Sequence, residues 1–301
     1  MSADGSIRQM AREVHIADSR TVARQARREL QEAATRSGVR IIEPRSERDI
    51  RRIAEVGERV WGPGGTLAPN EFRALIHAGA PVHAAIDEQQ VGEPVIGFSL
   101  GFLGWSPTVH VHSHQAGVLA AHRRRGVGFA LKLAQRHTSL QCGITDMRWT
   151  FDPLIRRNTA FNLHALGAQA TSFYPDFYGQ MGDAINGEDA SDRLEAVWDL
   201  RRPLPVRDRV SPSPSATSAV AVGTPVLLSE HEGWPQLTAG APSPGALMVV
   251  PGDYETLRRQ DPRRSAAWRA ASREVLGRVY GAGLRIGAVE ATGYRLVKDE
   301  V

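Results

Sequence analysis

Two groups of residues in this 301-residue chain could do chemistry. The first is Val118 to Ala130, reading Val-Leu-Ala-Ala-His-Arg-Arg-Arg-Gly-Val-Gly-Phe-Ala. An apolar strand-like end passes into a basic turn with glycines at 126 and 128, and then into a helical pattern. That order suits a phosphate, because a helix start presents free N–H groups and the positive end of its dipole. At Gly126 and Gly128 a Cβ would block close approach or the dihedrals the turn needs. Arg123, Arg124 and Arg125 can add charge-assisted contacts. The second group is His110, His112 and His114, alternating just upstream. An imidazole titrates near neutrality and can take a proton from an amine. The same alternation also suits a polar strand face. No carboxylate–histidine spacing nearby supports a closed metal site, and no metal is expected.

The flanking pattern places these groups on defined elements. Helical spacing of Val22, Ala26, Leu30 and Ala33 predicts a helix within residues 1–37, ended by Gly38. Residues 39–43 predict a first strand. Ser46-x-x-Asp49 opens a helix as a capping box, with Ile50, Ile53, Val56 and Val60 on one face. Trp61-Gly-Pro-Gly-Gly65 breaks it, and 70–78 predict a second short helix. Strands follow at 81–86, 95–103 and 109–119, the last entering the glycine turn. A helix then runs to about Leu140, a fifth strand covers 147–151, and Asp152-Pro153 stops it. Asn158 to Leu166 predict a helix ending at Gly167. The order is β-α-α-β-β-β-α-β.

On these residues the chain resembles the GNAT superfamily of acyl-CoA N-acyltransferases. Arg123-Arg124-Arg125-Gly126-Val127-Gly128 fits its R/Q-x-x-G-x-G/A signature, and Val118-x-Ala120-x-x-Arg123 its approach, with alanine where proline is common. The strand–turn–helix context and the element order agree with the motif. Ser113-His114, Trp149-Thr-Phe-Asp-Pro-Leu154, Asn158-x-x-Phe161-Asn162-Leu163, Tyr174-x-x-x-Tyr178-Gly179 and Ser191-Asp192-Arg193 resemble one poorly characterised branch, some of whose members are associated with N-acylamino-acid metabolism.

The resemblance implies an α/β (α+β) GNAT fold, a mixed twisted sheet splayed at strands 4 and 5 between flanking helices. It implies acetyl-CoA or another acyl-CoA as co-substrate, held by Val118, Leu119, Arg123 to Ala130 (including Val127 and Phe129), Asn158 and Phe161. Direct transfer to a primary amine, plausibly an amino-acid α-amine, would follow, with acetyl or succinyl as the acyl group. The backbone N–H near Val118–Leu119 is the family-like oxyanion donor. The transfer also needs a base and an acid. Base candidates are His112, His114 and Asp152. Leu163 stands where many members carry the tyrosine acid, which leaves Tyr174 and Tyr178 as replacements. The expected catalytic set is His114, Asp152 and Tyr178. Arg156, Arg157, Arg193, Arg269 and Arg273 are candidates for a substrate carboxylate. A non-catalytic CoA-binding or regulatory protein is the alternative that Leu163 motivates.

The expected organisation is a helical extension at 1–38, the acyltransferase domain at 39–202, a Pro/Ser-rich linker or loop at 203–218, and a C-terminal α/β subdomain at 219–301 packed on the core. Within that last part 246–250 predict a strand, 253–280 a helix interrupted near Pro262, and 286–297 a final strand. The first helix packs on the domain or on a second copy, so a homodimer is a candidate assembly. The net charge is +4, with arginines interleaved among acids as in Arg45 to Arg52, which argues against a nucleic-acid partner. No apolar stretch reaches the roughly 20 residues of a membrane span, and the start has no apolar signal core. Cys142 is the one cysteine, so no intramolecular disulfide forms. A cytoplasmic enzyme with a small-molecule amine substrate is the expectation.

Overall fold

A computed structural model of the protein describes residues 3–179, 189–205 and 223–299. From residue 206 on, the expected Pro/Ser-rich linker lies outside the described residues. The chain divides into two compact units, one of residues 1–148 with 199–203, the other of 149–198 with 204–301. The division falls at Arg148/Trp149, inside the span expected to form one domain.

The first unit contains α1 (Ala3–Ser37), β1 (Val39–Ile42), α2 (Glu47–Trp61), α3 (Pro69–His77), β2 (Val82–Asp87), β3 (Val95–Gly104), β4 (His110–Val118), α4 (Val127–Gln141) and the start of β5 (Asp146–Phe151). This is the element order expected from the sequence. Strands β1 to β4 pair antiparallel in sequence order, and β5 joins β4 in parallel. Ser46 caps α2 as expected, its hydroxyl accepting from the Asp49 N–H at 3.1 Å. The apolar stripe of α2 follows from its helical spacing. Ile50, Ile53 and Val56 bury against Phe72, Phe98 and Leu100 on one face of the sheet. On the other face Val127 and Leu131 of α4 pack on Val39, Ala85 and Ile96. Arg136 lies on the buried side of α4 at 1% exposure. It donates from Nε to the Leu200 carbonyl at 2.8 Å and from Nη2 to the Arg202 carbonyl at 3.0 Å, and it pairs with Glu29 of α1.

The second unit takes up the end of β5, with β6 (Gln169–Tyr174) and β7 (Arg193–Asp199) in the strand order β5-β7-β6. It adds α5 (Arg156–Ala160), continued by one π-helical turn at Phe161–Ala165. Beyond these come β8 (Val226–His231), β9 (Trp234–Leu237), β10 (Leu247–Val249), α6 (Tyr254–Gln260), α7 (Pro262–Gly281), β11 (Leu284–Val289) and β12 (Gly293–Lys298). Five of these strands form a sheet in the order β11-β12-β10-β8-β9. The helix break expected near Pro262 occurs where Asp261 ends α6 and caps α7, its carboxylate accepting from the Arg264 N–H at 3.0 Å. The single strand expected at 286–297 is instead the hairpin β11–β12. The chain turns at 290–292, where the Glu290 N–H donates to the Gly293 carbonyl at 2.8 Å.

His83 of β2 is buried, with Nε2 2.9 Å from Thr138 Oγ1 and Nδ1 without a partner. Burial pushes its pKa down to about 4. The unfolded chain therefore binds a proton near pH 6.5 that the folded chain refuses until about pH 4. Stability rises with pH across that window, by about 3 kcal/mol in full. His83→Gln should flatten this slope. Urea midpoints at pH 4.5 and 7 measure it, and an unchanged slope would refute the assignment.

Candidate functional site: an anion-binding turn and a bulged strand

The turn expected to hold a phosphate leaves β4 through Leu119 and one 3-10 turn at Ala120–His122. It enters α4 at Gly126, which has φ 90° and ψ 2°. An L side chain is strained in that left-handed region, and a Cβ there would also lie 2.8 Å from Ser37 Oγ. Gly126 is thus required by the fold. Gly128 differs. Its φ is ordinary, and an added Cβ would meet nothing nearer than Val118 Cγ2 at 3.9 Å. Space is therefore left open at 128 beside the helix start. Among the described residues, the chain offers no acceptor to the N–H groups of Arg124, Arg125, Gly126, Val127 and Gly128. Five consecutive donors at the positive end of a helix of 15 residues can hold an anion.

The arginines of the turn divide by role. Arg125 donates from Nη1 to Asp87 Oδ2 at 2.7 Å and from Nη2 to the Ser37 carbonyl at 3.2 Å. Its guanidinium holds the Asp87 carboxyl below the usual range, and its charge is spent inside the unit. That corrects the expectation of three arginine side chains facing a ligand. Arg123 and Arg124 are exposed, and Arg123 Nε reaches the Val118 carbonyl at 3.3 Å.

Strand β4 carries a β-bulge. Gly101 pairs with Ser113 and Leu100 with Gln115, so His114 is the extra residue. A bulge of this kind turns two successive side chains to one face. Gln115 points with His114 to the α2 side, where it accepts from Thr66 Oγ1 and donates to the Gly65 carbonyl, both at 3.0 Å. Two residues on, Gly117 lies under Trp61, whose ring would sit 2.6 Å from any Cβ there. The glycine-rich segment after α2 is thereby fixed over the strand.

Beyond the bulge the ladder decides which N–H groups remain open. The Leu119 N–H donates to the Ile96 carbonyl at 2.9 Å. Leu119 is therefore not the oxyanion donor expected of it. Hydrogen bonding alternates along an antiparallel pair, so Val118, opposite Gly97, turns its N–H away from β3. On that side β4 pairs with β5 only at Val111 with Met147 and His112 with Arg148. The α4-facing side of β4 carries a buried polar group. Lys132 Nζ donates to Ser113 Oγ at 2.7 Å, and that hydroxyl donates to Gln135 Oε1 at 2.8 Å. Burial pushes Lys132 down to about 7. Lysine at a helix position with this periodicity reads as surface, so its burial was not visible in the sequence. Gln115 and Thr66 were likewise missed, since only the strand register brings them together.

His112 is half-buried and His114 exposed. Burial, then His114, His110 and Lys132, push His112 down to about 4. His114, though exposed, loses part of its water to its neighbours, and this desolvation lowers it as well.

The remaining expected site residues belong to the second unit. Asp152 is buried and bound on both oxygens. Arg269 donates to Oδ1 at 2.9 Å and to Oδ2 at 2.6 Å, and the Leu154 N–H donates to Oδ1 at 2.8 Å. Burial alone would raise this carboxyl, but Arg269 and the Leu154 N–H outweigh it and hold it below the ordinary value. A buried carboxylate paired with Arg269 through both oxygens and held below its ordinary pKa is a poor proton acceptor, which corrects the expectation of a catalytic Asp152. Arg269 and Arg273 are also spoken for, Arg273 by Asp192 at 2.7 Å. Tyr178 is exposed, its hydroxyl 3.0 Å from Thr150 Oγ1 and its ring 5.5 Å from the Arg193 guanidinium carbon. Asn158 is exposed on α5, Phe161 opens the π turn, and Leu163 is buried in it. Cys142 caps the end of α4 and is exposed. Among the described residues no group of three His, Cys, Asp or Glu is placed to hold a metal ion, and no helix is long and apolar enough to cross a membrane.

No protein-family model and no curated protein sequence matches the chain. Solved structures do. The chain is similar to the ribosomal-protein-S18-alanine N-acetyltransferase from Escherichia coli, at 12% identity and TM-score 0.43, over 55% of this chain and 96% of that one. It is similar to Naa20 of Chaetomium thermophilum in complex with a bisubstrate analogue, at 19% identity and TM-score 0.42, over 56% and 92%. NAA60 of Arabidopsis thaliana, also with a bisubstrate analogue, gives 17% identity and TM-score 0.41, over 54% and 98%.

Arg269→Met should destabilise the protein by about 3–5 kcal/mol, because it leaves the Asp152 charge buried without its partner. Urea denaturation at pH 7 reads this directly, and a loss under about 1 kcal/mol would contradict a paired, buried Asp152.

Proposed function

We propose that the protein is a GNAT-type N-acyltransferase that moves an acyl group from a CoA thioester to a primary amine. The observation that carries the reading is the run of five unpartnered N–H groups from Arg124 to Gly128 at the start of α4, beside the space left by Gly128. A pyrophosphate is the ligand such a turn suits, with Arg123 and Arg124 adding charge at its rim.

Acyl transfer then needs an oxyanion donor and a base. The Val118 N–H, turned away from β3, is our choice of donor. His114 is our choice of base, because it is exposed, sits at the bulge, and is neutral at physiological pH. Asp152 leaves the catalytic set for the reason given above. Tyr178, an exposed residue, remains the candidate to protonate the thiolate, and Asn158 and Phe161 remain candidates for CoA contact. The acceptor is read as the α-amine of an amino acid and the acyl group as acetyl or succinyl, both on the resemblance of the sequence motifs.

Two measurements test this. Gly128→Trp should fill the open space and weaken CoA binding by tenfold or more in calorimetry while the variant stays folded, and unchanged affinity would sink the phosphate assignment. His114→Ala should lower kcat by about 10²–10⁴-fold in a thiol-release assay with acetyl- or succinyl-CoA and a panel of amino acids. In the unaltered protein kcat/KM should fall on acidification with a midpoint below about 6.5, since burial lowers the imidazole. Full turnover in His114→Ala would acquit that residue. CoA binding without thiol release against any amine would instead favour the non-catalytic reading that Leu163 motivates.

A further inference from the structure

We propose that the rings of Phe102, His112 and His114 form the subsite for the acceptor's side chain, and that this subsite takes an uncharged aromatic or aliphatic group. The inference rests on the acyltransferase reading and extends it to the substrate class.

Strand register builds the surface. Phe102 of β3 lies directly opposite His112 of β4, and the two rings stack at 5.1 Å with 29° between their planes. His114 reaches the same Phe102 ring at 5.6 Å and the His112 ring at 6.2 Å. Each ring thus meets the other two, within the 4.5–7 Å range of favourable aromatic pairs. The bulge places Gln115 next in line on this face, and its bonds to Thr66 and Gly65 fix it as a wall. Phe102 and His112 are half-buried and His114 is exposed, so the patch has a solvent-facing side.

The chemistry of this floor favours an apolar occupant. The phenyl ring carries no charge, and His112 stays neutral above about pH 4. Neither ring offers a counter-charge to an acidic or basic side chain, and Arg148, opposite His112 in the β4–β5 register, adds repulsion to a basic one. An aromatic or branched aliphatic group gains by burying its surface on the rings. His114 belongs both to this floor and to the amine-activating position, so an amine one or two bonds from the seated side chain lies beside the base. An α-amino acid with an apolar side chain has that spacing.

The test is a thiol-release assay with acetyl-CoA and four acceptors, phenylalanine, leucine, glutamate and lysine, on the full-length protein. The expected result is a kcat/KM higher for phenylalanine and leucine than for glutamate and lysine. Phe102→Ala should cut the phenylalanine-to-glutamate ratio about tenfold, mainly through KM, and Phe102→Tyr should restore most of it. A melting curve and acetyl-CoA affinity for each variant separate misfolding from lost selectivity. Turnover that favours charged acceptors, or a Phe102→Ala that is folded, binds acetyl-CoA and keeps the ratio, would overturn the inference while leaving the acyltransferase reading intact. No thiol release from any amine would overturn both.

Discussion

The buried guanidinium of Arg136 is the interaction on which the first unit depends. A charge at 1% exposure is tolerable only when its donors are met. Here they are met by Glu29 of α1 and by the carbonyls of Leu200 and Arg202. One side chain thereby ties the N-terminal helix and the returning segment at 199–203 to α4. The same helix follows directly on the glycine turn with its open N–H groups and supplies the lysine that meets Ser113 behind the bulge.

Strand β4 distributes the chemistry by register. Its inner side commits the Leu119 N–H to β3 and frees that of Val118. Its α4 face buries Ser113, and its α2 face displays His112, His114 and Gln115. One inserted residue sets this division. Without the bulge, Gln115 would turn to the opposite face and lose Thr66 and Gly65. Among the described residues the strand also has no parallel partner after His112, so its later backbone groups on that side are not taken up by β5.

The sequence was most legible where local chemistry acts alone. The Ser46 cap, the break before Pro262, the strand ahead of the glycine turn and the helix behind it all depend on neighbours within a few residues. It was least legible where a partner is distant. Asp152 at a strand end has the sequence look of a base, and only Arg269, far along the chain, makes it a structural carboxylate. Arg125 reads like its two neighbours until Asp87 claims it. The strands β6 to β9 were not visible in the sequence, and β9 is bounded by a turn at Glu232–Gly233 rather than by an apolar run. The ring cluster is invisible in one dimension, since Phe102 meets His112 only through the pairing of β3 with β4.

The two glycines of the turn answer to different masters. Gly126 is demanded by the backbone itself, by its positive φ and by Ser37. Gly128 is demanded by nothing in the chain, which has room for a methyl group there. A side chain at 126 would therefore act on folding itself, whereas a small one at 128 would leave the fold as it is. The two positions thus separate what folding requires from what it leaves open: the folded state alone accounts for the glycine at 126, while the space at 128 is kept by nothing the backbone needs.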